Sequence, residues 1–436
     1  MVWWAEALII LFAFILMLAA GMPIAFGFGL ALVFGALFLV GDTGLLSTIP
    51  TMFHTTLTSF IFLCLPLFIF MAEVLEVAGI SRDTYDAADK WLSGIPGGLA
   101  IANVVACAAF GAVCGSSAVT VATMGRIGVP RLVEKKYDAG LTTGSVASGG
   151  SLALMIPPSL AFITYGVLTD VSVGKLFIAG ILPGIMLTVL FSIYIVTRVA
   201  IKPSLAPSHA GYSWMERLSS LTRVWPIVVL FLGIMASIYL GIATPTESAA
   251  IGCVVALVLG SLYRRLTWKS LWTAFLRASA TTGLIGLVIV GGKIFSLLFA
   301  TRGIAGALSQ TIVGTGLPPL LVFVAMVLVL FILGMFMEGA GIIVLTIPIF
   351  FPIITSLGFD PVWFGVATTV CVELALITPP VGVNVYLLAG IVKPWGITMG
   401  QIFKGILPFV VLELIALAIL TAFPQIATWL PSMMME

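Results

Sequence analysis

Long apolar stretches recur along the whole chain, from residues 2–21 to residues 405–430. Each approaches the ~20 residues that an α-helix needs to cross the hydrocarbon core of a bilayer. The strands of a membrane barrel are shorter and alternate in polarity, so these stretches exclude a barrel. Only 8% of the residues are charged, against about 25% in soluble domains. The sequence therefore predicts an all-α polytopic membrane protein.

Several functional classes lack their signatures here. No G-x-x-x-x-G-K-[ST] motif is present, so ATP hydrolysis would have to come from another chain. The cysteines have neither pairing nor metal-ligand spacing, and we interpret them as small core residues. They are Cys64, Cys107, Cys114, Cys253 and Cys371. We expect no organic cofactor and no nucleic-acid partner, and we interpret residues 2–21 as a retained first span.

Most basic residues lie in five short joints between the apolar stretches. Short cytoplasmic loops carry an excess of Lys and Arg, so we predict that all five joints are cytoplasmic. The joints contain Arg82 and Lys90; Arg126, Arg131, Lys135 and Lys136; Arg198, Lys202, Arg217 and Arg223; Arg264, Arg265 and Lys269; and Lys393 and Lys404. This assignment predicts that both termini lie on the external side of the membrane.

Residues 1–200 form the first of two predicted repeats. Residues 97–134 begin and end on the predicted cytoplasmic side and break at Cys114-Gly115-Ser116-Ser117, which predicts a re-entrant helical hairpin. Residues 138–170 follow as a broken helix, interrupted at Gly149-Gly150 and Pro157-Pro158. The remaining predicted elements are scaffold spans within 2–79, namely 2–21, 23–41 and 58–79, and a further span at 173–199.

The second predicted repeat, residues 223–436, follows a cytoplasmic linker at 201–222. Its hairpin, 318–355, breaks at Met337-Glu338-Gly339-Ala340-Gly341, and its broken helix, 361–391, breaks at Thr378-Pro379-Pro380. Its other predicted elements are scaffold spans within 223–300, namely 223–241, 245–262 and 273–300, and a further span at 405–430.

Shared landmarks relate the two halves. Proline recurs 222 residues later at three positions, and a Gly-Ile-Leu-Pro sequence also recurs. The landmarks are Pro130, Pro157 and Pro158 with Pro352, Pro379 and Pro380, and Gly180 to Pro183 with Gly405 to Pro408. An odd number of predicted crossings separates the copies, so we predict two inverted-topology repeats.

Interrupted helices within a bilayer require a particular environment. Backbone groups freed by a break must be satisfied by protein or by a water-filled cavity. Four breaks at matching depth therefore predict one shared cavity. Helix N-termini favour anions there, whereas helix C-termini and unwound carbonyls favour Na⁺. The pattern is typical of a transporter with alternating access.

The residues at the breaks are candidate ligands, and each has a purely structural alternative. The first hairpin tip, Gly115 to Thr120, offers hydroxyls for a cation or a carboxylate, but such residues also form helix-packing patches. The same alternatives apply to Ser145, Ser148 and Ser151. The tandem prolines beside Ser159 and Thr378 expose carbonyls, although they also produce simple kinks. Asn384 and Tyr386 follow the second break, and Tyr386 is equally consistent with packing.

Acidic residues within apolar segments are functional candidates because an unpaired carboxylate there is costly. Glu338 and Glu373 lie at or near breaks, and we interpret them as cation-binding or helix-orienting groups. Glu247 follows Thr244-Pro245-Thr246 at a helix start, which favours a capping role. We interpret Glu73, Glu76 and Glu413 as interhelical or subunit contacts. The sequence leaves the roles of Arg277 and Lys293 open.

Taken together, these stretches resemble a known family, the large membrane subunit (M, DctM-like) of tripartite ATP-independent periplasmic (TRAP) transporters. The stretches that carry the resemblance are PLFIFMAEVLEVAGI, PGGLAIANVVACAAFGAVCGSSAVTVATMGRIGVP, ASGGSLALMIPPSLAFITYGVLTDVSVGKLFIAGILPG, GIATPTESAAIG and ELALITPPVGVNVYLLAGI. The resemblance implies an elevator-type secondary transporter of the ion transporter superfamily kind, coupled to Na⁺ and importing a small organic acid anion. It also implies two partners, a small four-helix membrane subunit and a periplasmic solute-binding protein.

The resemblance also implies roles for particular residues. One Na⁺ region would comprise Gly115, Ser116, Ser117, Ser148, Ser151 and Pro157. The other would comprise Glu338, Gly339, Gly341, Glu373, Thr378 and Pro379. The substrate would lie between the hairpin tips, against Ser116, Ser117, Thr120, Ser159, Gly339 and Asn384. Lys293 departs from the family pattern.

Two alternative functions stay open on the sequence alone. One is a self-sufficient carrier of related fold that needs no binding protein. The other is an intramembrane enzyme with Ser116 or Ser117 as nucleophile, which is disfavoured because neither His54 nor His209 lies in a predicted core helix and no base is apparent.

Overall fold

A computed structural model of the chain describes residues 3–40, 44–207, 211–335, 337–380 and 382–434. These residues form twenty α-helices and no strand, which confirms the predicted all-α class. The first ten helices are α1 Trp3–Ala19, α2 Ile24–Phe34, α3 Gly44–Leu57, α4 Phe60–Val77, α5 Ile80–Leu92, α6 Gly98–Cys114, α7 Ser117–Glu134, α8 Ala139–Ser151, α9 Leu160–Thr169 and α10 Val173–Ile201. The others are α11 Trp214–Tyr239, α12 Pro245–Leu262, α13 Trp268–Thr301, α14 Ile304–Gly314, α15 Pro319–Gly334, α16 Gly339–Ser356, α17 Pro361–Ile377, α18 Val383–Val392, α19 Met399–Ala422 and α20 Gln425–Ser432.

Seven of the helices in the described part are long and apolar enough to cross a membrane. They are α4, α10, α11, α12, α13, α16 and α19. Large apolar side chains on their outer surfaces are exposed, for example Ile185 on α10 and Val254 on α12. Such surfaces suit contact with lipid, whereas in water they would favour association.

Four of the five predicted interruptions coincide with helix ends, but the one predicted at Gly149-Gly150 was wrong, because both glycines lie within α8. α6 ends at Cys114 and α7 begins at Ser117, and α15 ends at Gly334 and α16 begins at Gly339. α8 ends at Ser151, a single 3-10 turn covers Leu152–Leu154, and α9 begins only at Leu160. α17 ends at Ile377 and α18 begins at Val383. Glycine and proline at these four places leave the backbone without helical hydrogen bonds.

Some predicted boundaries were wrong. The predicted span 405–430 is two helices, because Pro424 lies between α19 and α20. The predicted linker 201–222 is partly helical, since α11 begins at Trp214 with a capping box between Ser213 and Glu216. The sequence analysis missed three short helices, α3, α5 and α14. His209 lies outside the described residues, whereas His54 is in α3.

The predicted role of Glu247 is confirmed. Its Oε2 accepts from the backbone N–H of Thr244 at 2.8 Å, and its own N–H donates to Thr244 Oγ1 at 3.3 Å. This capping box begins α12 directly at Pro245. Glu247 therefore fixes a helix start on the surface and is not a ligand of a buried site.

The amphipathic helix α5 contains one of the five basic joints, and residues of three other joints contact it. Arg265 donates to Asp83, and Arg131 Nη2 lies 2.5 Å from Asp86. Tyr212 donates to Asp89 at 3.3 Å. Since these partners come from three other joints, the structure gathers them at one end of the molecule. This arrangement is consistent with the predicted common side.

The buried centre of the fold is built from α8 and α17. From Leu141 onward α8 is buried throughout, and so is α17 from Trp363 onward. α8 is rich in Gly, Ser and Thr, and such small residues let helix backbones approach closely. A Cβ added to Gly405 on α19 would lie 2.1 Å from the carbonyl oxygen of Gly140 on α8. Helices from the two halves therefore touch backbone to backbone.

Arg277 on α13 lies near both acids of α4. Its Nη1 is 3.8 Å from Glu73 Oε2 and 3.9 Å from Glu76 Oε1. Glu76 Oε1 also lies 3.5 Å from the hydroxyl of Thr123 on α7. These contacts agree with the interhelical interpretation of Glu73 and Glu76. They also give Arg277 a partner within this chain.

Candidate functional site

The first hairpin tip is a tight turn held against the first break. Gly115 has φ +63, a conformation that glycine adopts without strain, and Ser116 is extended. The carbonyl oxygen of Gly115 accepts from the N–H of Leu160 at 3.2 Å. A Cβ on Gly115 would lie 2.5 Å from the carbonyl oxygen of Pro158. Glycine is therefore required both for the turn and for the close contact with the interrupted segment.

Ser159 fixes the start of α9. Its hydroxyl donates to the carbonyl oxygen of Leu154 and accepts from the N–H of Phe162 at 3.4 Å. Both hydrogen-bonding functions of this buried side chain are therefore used in bridging the break and capping the helix. Ser159 does not line the cavity described below, and its contact with a substrate stays a prediction.

The second hairpin tip and the second break face the first pair. Glu338 occupies the N-cap position of α16 without a capping hydrogen bond, and its side chain is exposed. Thr378 Oγ1 donates to the carbonyl oxygen of Leu374 at 2.5 Å, which ends α17. Pro379 is exposed, and the Pro157-Pro158 and Pro379-Pro380 peptide bonds are both cis.

A hydrogen bond joins the first tip to the second break. Asn384 Nδ2 donates to Ser117 Oγ at 2.6 Å, between residues 267 positions apart. Both side chains are buried, and Asn384 Oδ1 has no partner among the described residues. An unpaired buried acceptor carries a desolvation penalty of about 1–3 kcal/mol, which a bound donor or cation would offset.

The four interruptions enclose a small cavity of about 40 Å³. Its lining comes from both tips, both breaks and one residue of α13: Ser116, Ser117, Ala118, Leu154, Leu160, Ala161, Ile285, Glu338, Gly339, Ala340, Leu376, Val383 and Asn384. A water molecule needs roughly 10–15 Å³ by a comparable measure, so the space holds a few waters at most. Ligand pockets are typically about 300–1,000 Å³, so the tips must separate to admit an organic solute.

Four helices begin at this cavity. Ser117, Leu160, Gly339 and Val383 line it, and each is the first residue of its helix. A helix N-terminus acts as roughly half a positive charge and presents unpaired N–H groups. No Lys or Arg side chain is part of the described lining. Attraction for an anion therefore comes from backbone dipoles.

Helix C-termini reach the same cavity from the opposite direction. Leu154 ends the 3-10 turn of the first break, and Leu376 lies in the last turn of α17. Carbonyl groups at such ends favour a hard cation. No group of three or more His, Cys, Asp and Glu side chains suited to a metal occurs within the described residues. Cation binding would therefore depend on carbonyl, hydroxyl and amide oxygens, with Glu338 as the one acidic side chain of the described lining.

The predicted site residues divide into two groups. Ser116, Ser117, Glu338, Gly339 and Asn384 line the cavity, and the Gly115 carbonyl oxygen accepts a hydrogen bond from Leu160, a lining residue. Several others lie elsewhere in the same region. These are Thr120, Ser148, Ser151, Pro157, Ser159, Gly341, Glu373, Thr378 and Pro379. Gly341 packs against Ile24 of α2, where an added Cβ would lie 3.0 Å from the Ile24 side chain.

One buried acid agrees with the first of its two predicted roles. Glu413 on α19 accepts from Ser151 Oγ of α8 at 3.1 Å, which is an interhelical contact and not a subunit surface. Its signal in the sequence was a single acid in an otherwise apolar span. Apolar residues that line the cavity, such as Ile285 and Leu376, were not predicted, because their sequence positions differ in no way from those of other hydrophobic residues.

The sequence also matches a known protein family. Residues 11–426 match the family described as the tripartite ATP-independent periplasmic transporter, DctM component. The chain belongs to this family.

Individual relatives agree with this assignment. The C4-dicarboxylate TRAP transporter large permease protein DctM of Pseudomonas aeruginosa is 34% identical, over 85% of this chain and 86% of the relative. The isethionate TRAP transporter permease protein DctMQ of Oleidesulfovibrio alaskensis is 31% identical, and the match covers 95% of this chain and 64% of that longer protein. The crystal structure of the YdaH transporter of Alcanivorax borkumensis has the same fold, with a TM-score of 0.63 over 90% of each chain at 16% identity.

Membership of this family has two direct consequences. The chain is a multi-pass membrane component of a TRAP transporter, which confirms the class predicted from composition and the family predicted from the resemblance. Its relatives are transport permeases and not enzymes, so the interpretation of Ser116 or Ser117 as a catalytic nucleophile no longer applies.

Proposed function

We propose that this permease imports a small organic acid anion together with Na⁺ across the bacterial inner membrane, by an elevator movement. The observation that carries the proposal is the convergence of four helix N-termini on one cavity that also meets helix C-terminal ends. Such a site attracts an anion and a cation at neighbouring positions, so binding of one favours binding of the other. This is the physical requirement for coupled transport.

The substrate class follows from the lining. The N-termini and the hydroxyls of Ser116 and Ser117 suit the oxygens of a carboxylate or sulfonate. The relatives described above carry names of a C4-dicarboxylate and of isethionate permeases, which are a carboxylate and a sulfonate. We infer a small organic acid anion and leave the individual compound open.

The elevator movement is supported by the position of the cavity. Twelve of its thirteen described lining residues come from the two tips and the two breaks, and only Ile285 comes from α13. The cavity therefore lies on the boundary between the interrupted helices and a long continuous helix. Sliding the interrupted helices along α13 would expose the cavity first to one side of the membrane and then to the other. In this proposal the two repeats have inverted topology, and both termini lie in the periplasm.

We propose two partners, a small four-helix membrane subunit and a periplasmic solute-binding protein. The longer DctMQ relative, of which this chain covers 64%, has room for such a subunit. In this scheme the binding protein delivers the anion to the closed cavity, and docking separates the tips.

The test is uptake by proteoliposomes containing this permease, its small subunit and its binding protein. Labelled C4-dicarboxylate and labelled isethionate are the probes, with an inward Na⁺ gradient or with K⁺ replacing Na⁺. We expect uptake of one probe only with Na⁺ and the binding protein present. Uptake that persists without Na⁺ would refute the coupling. Uptake by the permease alone would instead support a self-sufficient carrier.

A further inference from the structure

A second cavity lies apart from the interruptions, between α8, α10 and α19. Its volume is about 250 Å³, against about 40 Å³ for the cavity between the hairpin tips, and the two share no lining residue in the described part of the chain. Two of its lining residues are basic, Arg198 near the end of α10 and Lys404 near the start of α19. Both belong to joints that are predicted to be cytoplasmic.

The two basic side chains lack partners of their own. Within the described residues, neither Arg198 nor Lys404 makes a hydrogen bond or an ion pair through its side chain. The lining contains one acid, Asp138, whose Oδ1 accepts from the N–H of Leu141 at 3.1 Å and so caps α8. One acid faces two bases, so one positive charge has no counter-ion in the described lining.

Backbone contacts fix the walls of this cavity. The N–H of Asp138 donates to the carbonyl oxygen of Leu205 at 2.8 Å, which ties the start of α8 to the segment after α10. Gly140 and Gly405 bring α8 and α19 together backbone to backbone. The ring of Tyr194 on α10 packs edge-on against an aromatic ring of α19, with centroids 5.1 Å apart. The two bases therefore stand on helices whose spacing is set before any ligand binds, which lowers the cost of binding.

An apolar surface continues from the cavity along the same helices. Val411 and Ile415 lie two and three turns beyond Lys404 on the same side of α19, and both are exposed. Seven and eleven residues of helix span about 10 and 16 Å, which is the depth of one leaflet of a bilayer's hydrocarbon core. On α10, the half-buried Leu190 lies one turn beyond Tyr194. A basic cavity thus leads directly into a surface that suits acyl chains.

We propose that this cavity binds the phosphate group of an anionic phospholipid from the predicted cytoplasmic leaflet. The guanidinium of Arg198 can donate two parallel hydrogen bonds to phosphate oxygens, and Lys404 adds a compact positive charge. Basic cavities between transmembrane helices on the cytoplasmic side suit such headgroups. The acyl chains then cover Val411 and Ile415, which a free phosphate ion would leave uncovered. The site is independent of the proposed Na⁺ coupling and of the transported anion.

A bound phospholipid would act on the contact between the two halves of the chain. α8 and α10 come from the first half and α19 from the second, and all three line the cavity. A ligand that binds only the folded protein raises its unfolding temperature. The lipid should therefore stabilise the permease, which gives a readout that requires no transport.

The test is lipid binding by the purified full-length permease, measured by native mass spectrometry and by thermal unfolding. The probe is phosphatidylglycerol, titrated into detergent-solubilised protein. Its apparent affinity should fall roughly twentyfold in Arg198→Gln/Lys404→Gln, since each basic side chain near an anionic lipid contributes about fivefold. Arg126→Gln/Lys269→Gln is the matched control, because it removes two exposed positive charges from the same predicted side and neither residue lines the cavity. Arg198→Lys/Lys404→Arg keeps both charges and should retain most of the binding.

Two further ligands separate the possible sources of phosphate. Phosphatidylcholine, which carries no net charge, should bind more weakly than phosphatidylglycerol and should stabilise the permease less. Inorganic phosphate should neither stabilise the protein nor displace the lipid at equal concentration. Equal loss of phosphatidylglycerol binding in the two glutamine variants would overturn the proposal, because the two bases would then act only as solvated surface charges. Stabilisation by inorganic phosphate to the same extent as by phosphatidylglycerol would also overturn it, in favour of a free anion.

Discussion

Replacing Gly115 with alanine probes the contact between the first tip and the first break. The new Cβ would lie 2.5 Å from the carbonyl oxygen of Pro158, which is backbone and cannot rotate away. Gly303 offers a matched control, since its φ of +62 nearly equals the +63 of Gly115 but nothing lies within 4 Å of an added Cβ. Comparing Gly115→Ala with Gly303→Ala therefore separates the backbone penalty from the contact.

The structure sets the expected magnitude. A non-glycine residue in this backbone region costs roughly 1–2 kcal/mol, and this penalty applies to both variants. Only Gly115→Ala must also push the tip away from the break and lose the hydrogen bond from Leu160, worth about 0.5–1.5 kcal/mol. Since about 1.4 kcal/mol is tenfold in an equilibrium constant, the two penalties together predict at least a tenfold smaller population with an intact site in Gly115→Ala than in the wild type.

The assay is Na⁺-driven uptake at equal amounts of reconstituted protein, with thermal unfolding measured in parallel. We expect Gly303→Ala to retain most of the uptake, and uptake by Gly115→Ala to be up to about tenfold lower than uptake by Gly303→Ala. The two variants should differ less in unfolding temperature than in uptake, because the strain is local to the site. Equal uptake by both variants would refute the reasoning that this contact maintains the cavity.

Three further predictions concern the same region. Ser117→Ala and Asn384→Ala should be non-additive, with a coupling of about 1 kcal/mol in a double-mutant cycle of unfolding stability, because they share the 2.6 Å hydrogen bond; strict additivity would contradict it. Glu338→Gln should depress Na⁺-driven uptake more than Glu76→Gln, since only Glu338 lines the cavity; an equal effect would count against the cation role. Gly292→Cys with Val344→Cys should form a disulfide, because an added Cβ at Gly292 lies 3.1 Å from Val344 Cβ, near the usual ~3.8 Å. That cross-link should stop uptake until it is reduced, and unchanged uptake by the oxidised protein would contradict the elevator movement.

The interruptions could be predicted from the sequence because their causes are local. The prolines at 157–158 and 379–380 lack the N–H that a helical hydrogen bond needs, and Gly115 readily adopts the left-handed conformation that ends α6. The expectation that helix N-termini would face a common cavity followed from the lack of water in a bilayer. The helix starts at Ser117, Leu160, Gly339 and Val383 agree with it.

The pairing between distant residues could not be predicted in the same way. Ser117 meets Asn384 and Ser151 meets Glu413 across 267 and 262 positions, and nothing local encodes such proximity. The sequence near Glu413 therefore indicated only an interhelical or subunit contact and did not identify Ser151 as its partner. The residues of α5 were interpreted as a loop because of their charges, although its buried face includes Ile80 and Tyr85 and an amphipathic period was present.

The contact of α8 with α19 bears on the order in which the protein is assembled. A Cβ on Gly144 would lie 2.4 Å from the carbonyl oxygen of Gly405, so only a glycine-lined face of α8 admits α19. The ribosome reaches residue 405 long after α8 has been synthesised. During translation that face, with its serines and threonines, lacks the neighbour that will cover it. The packing of α8 is therefore completed only when α19, the last long helix, has been inserted into the bilayer. Truncations that remove α19 should consequently destabilise α8 as well as the C-terminal region.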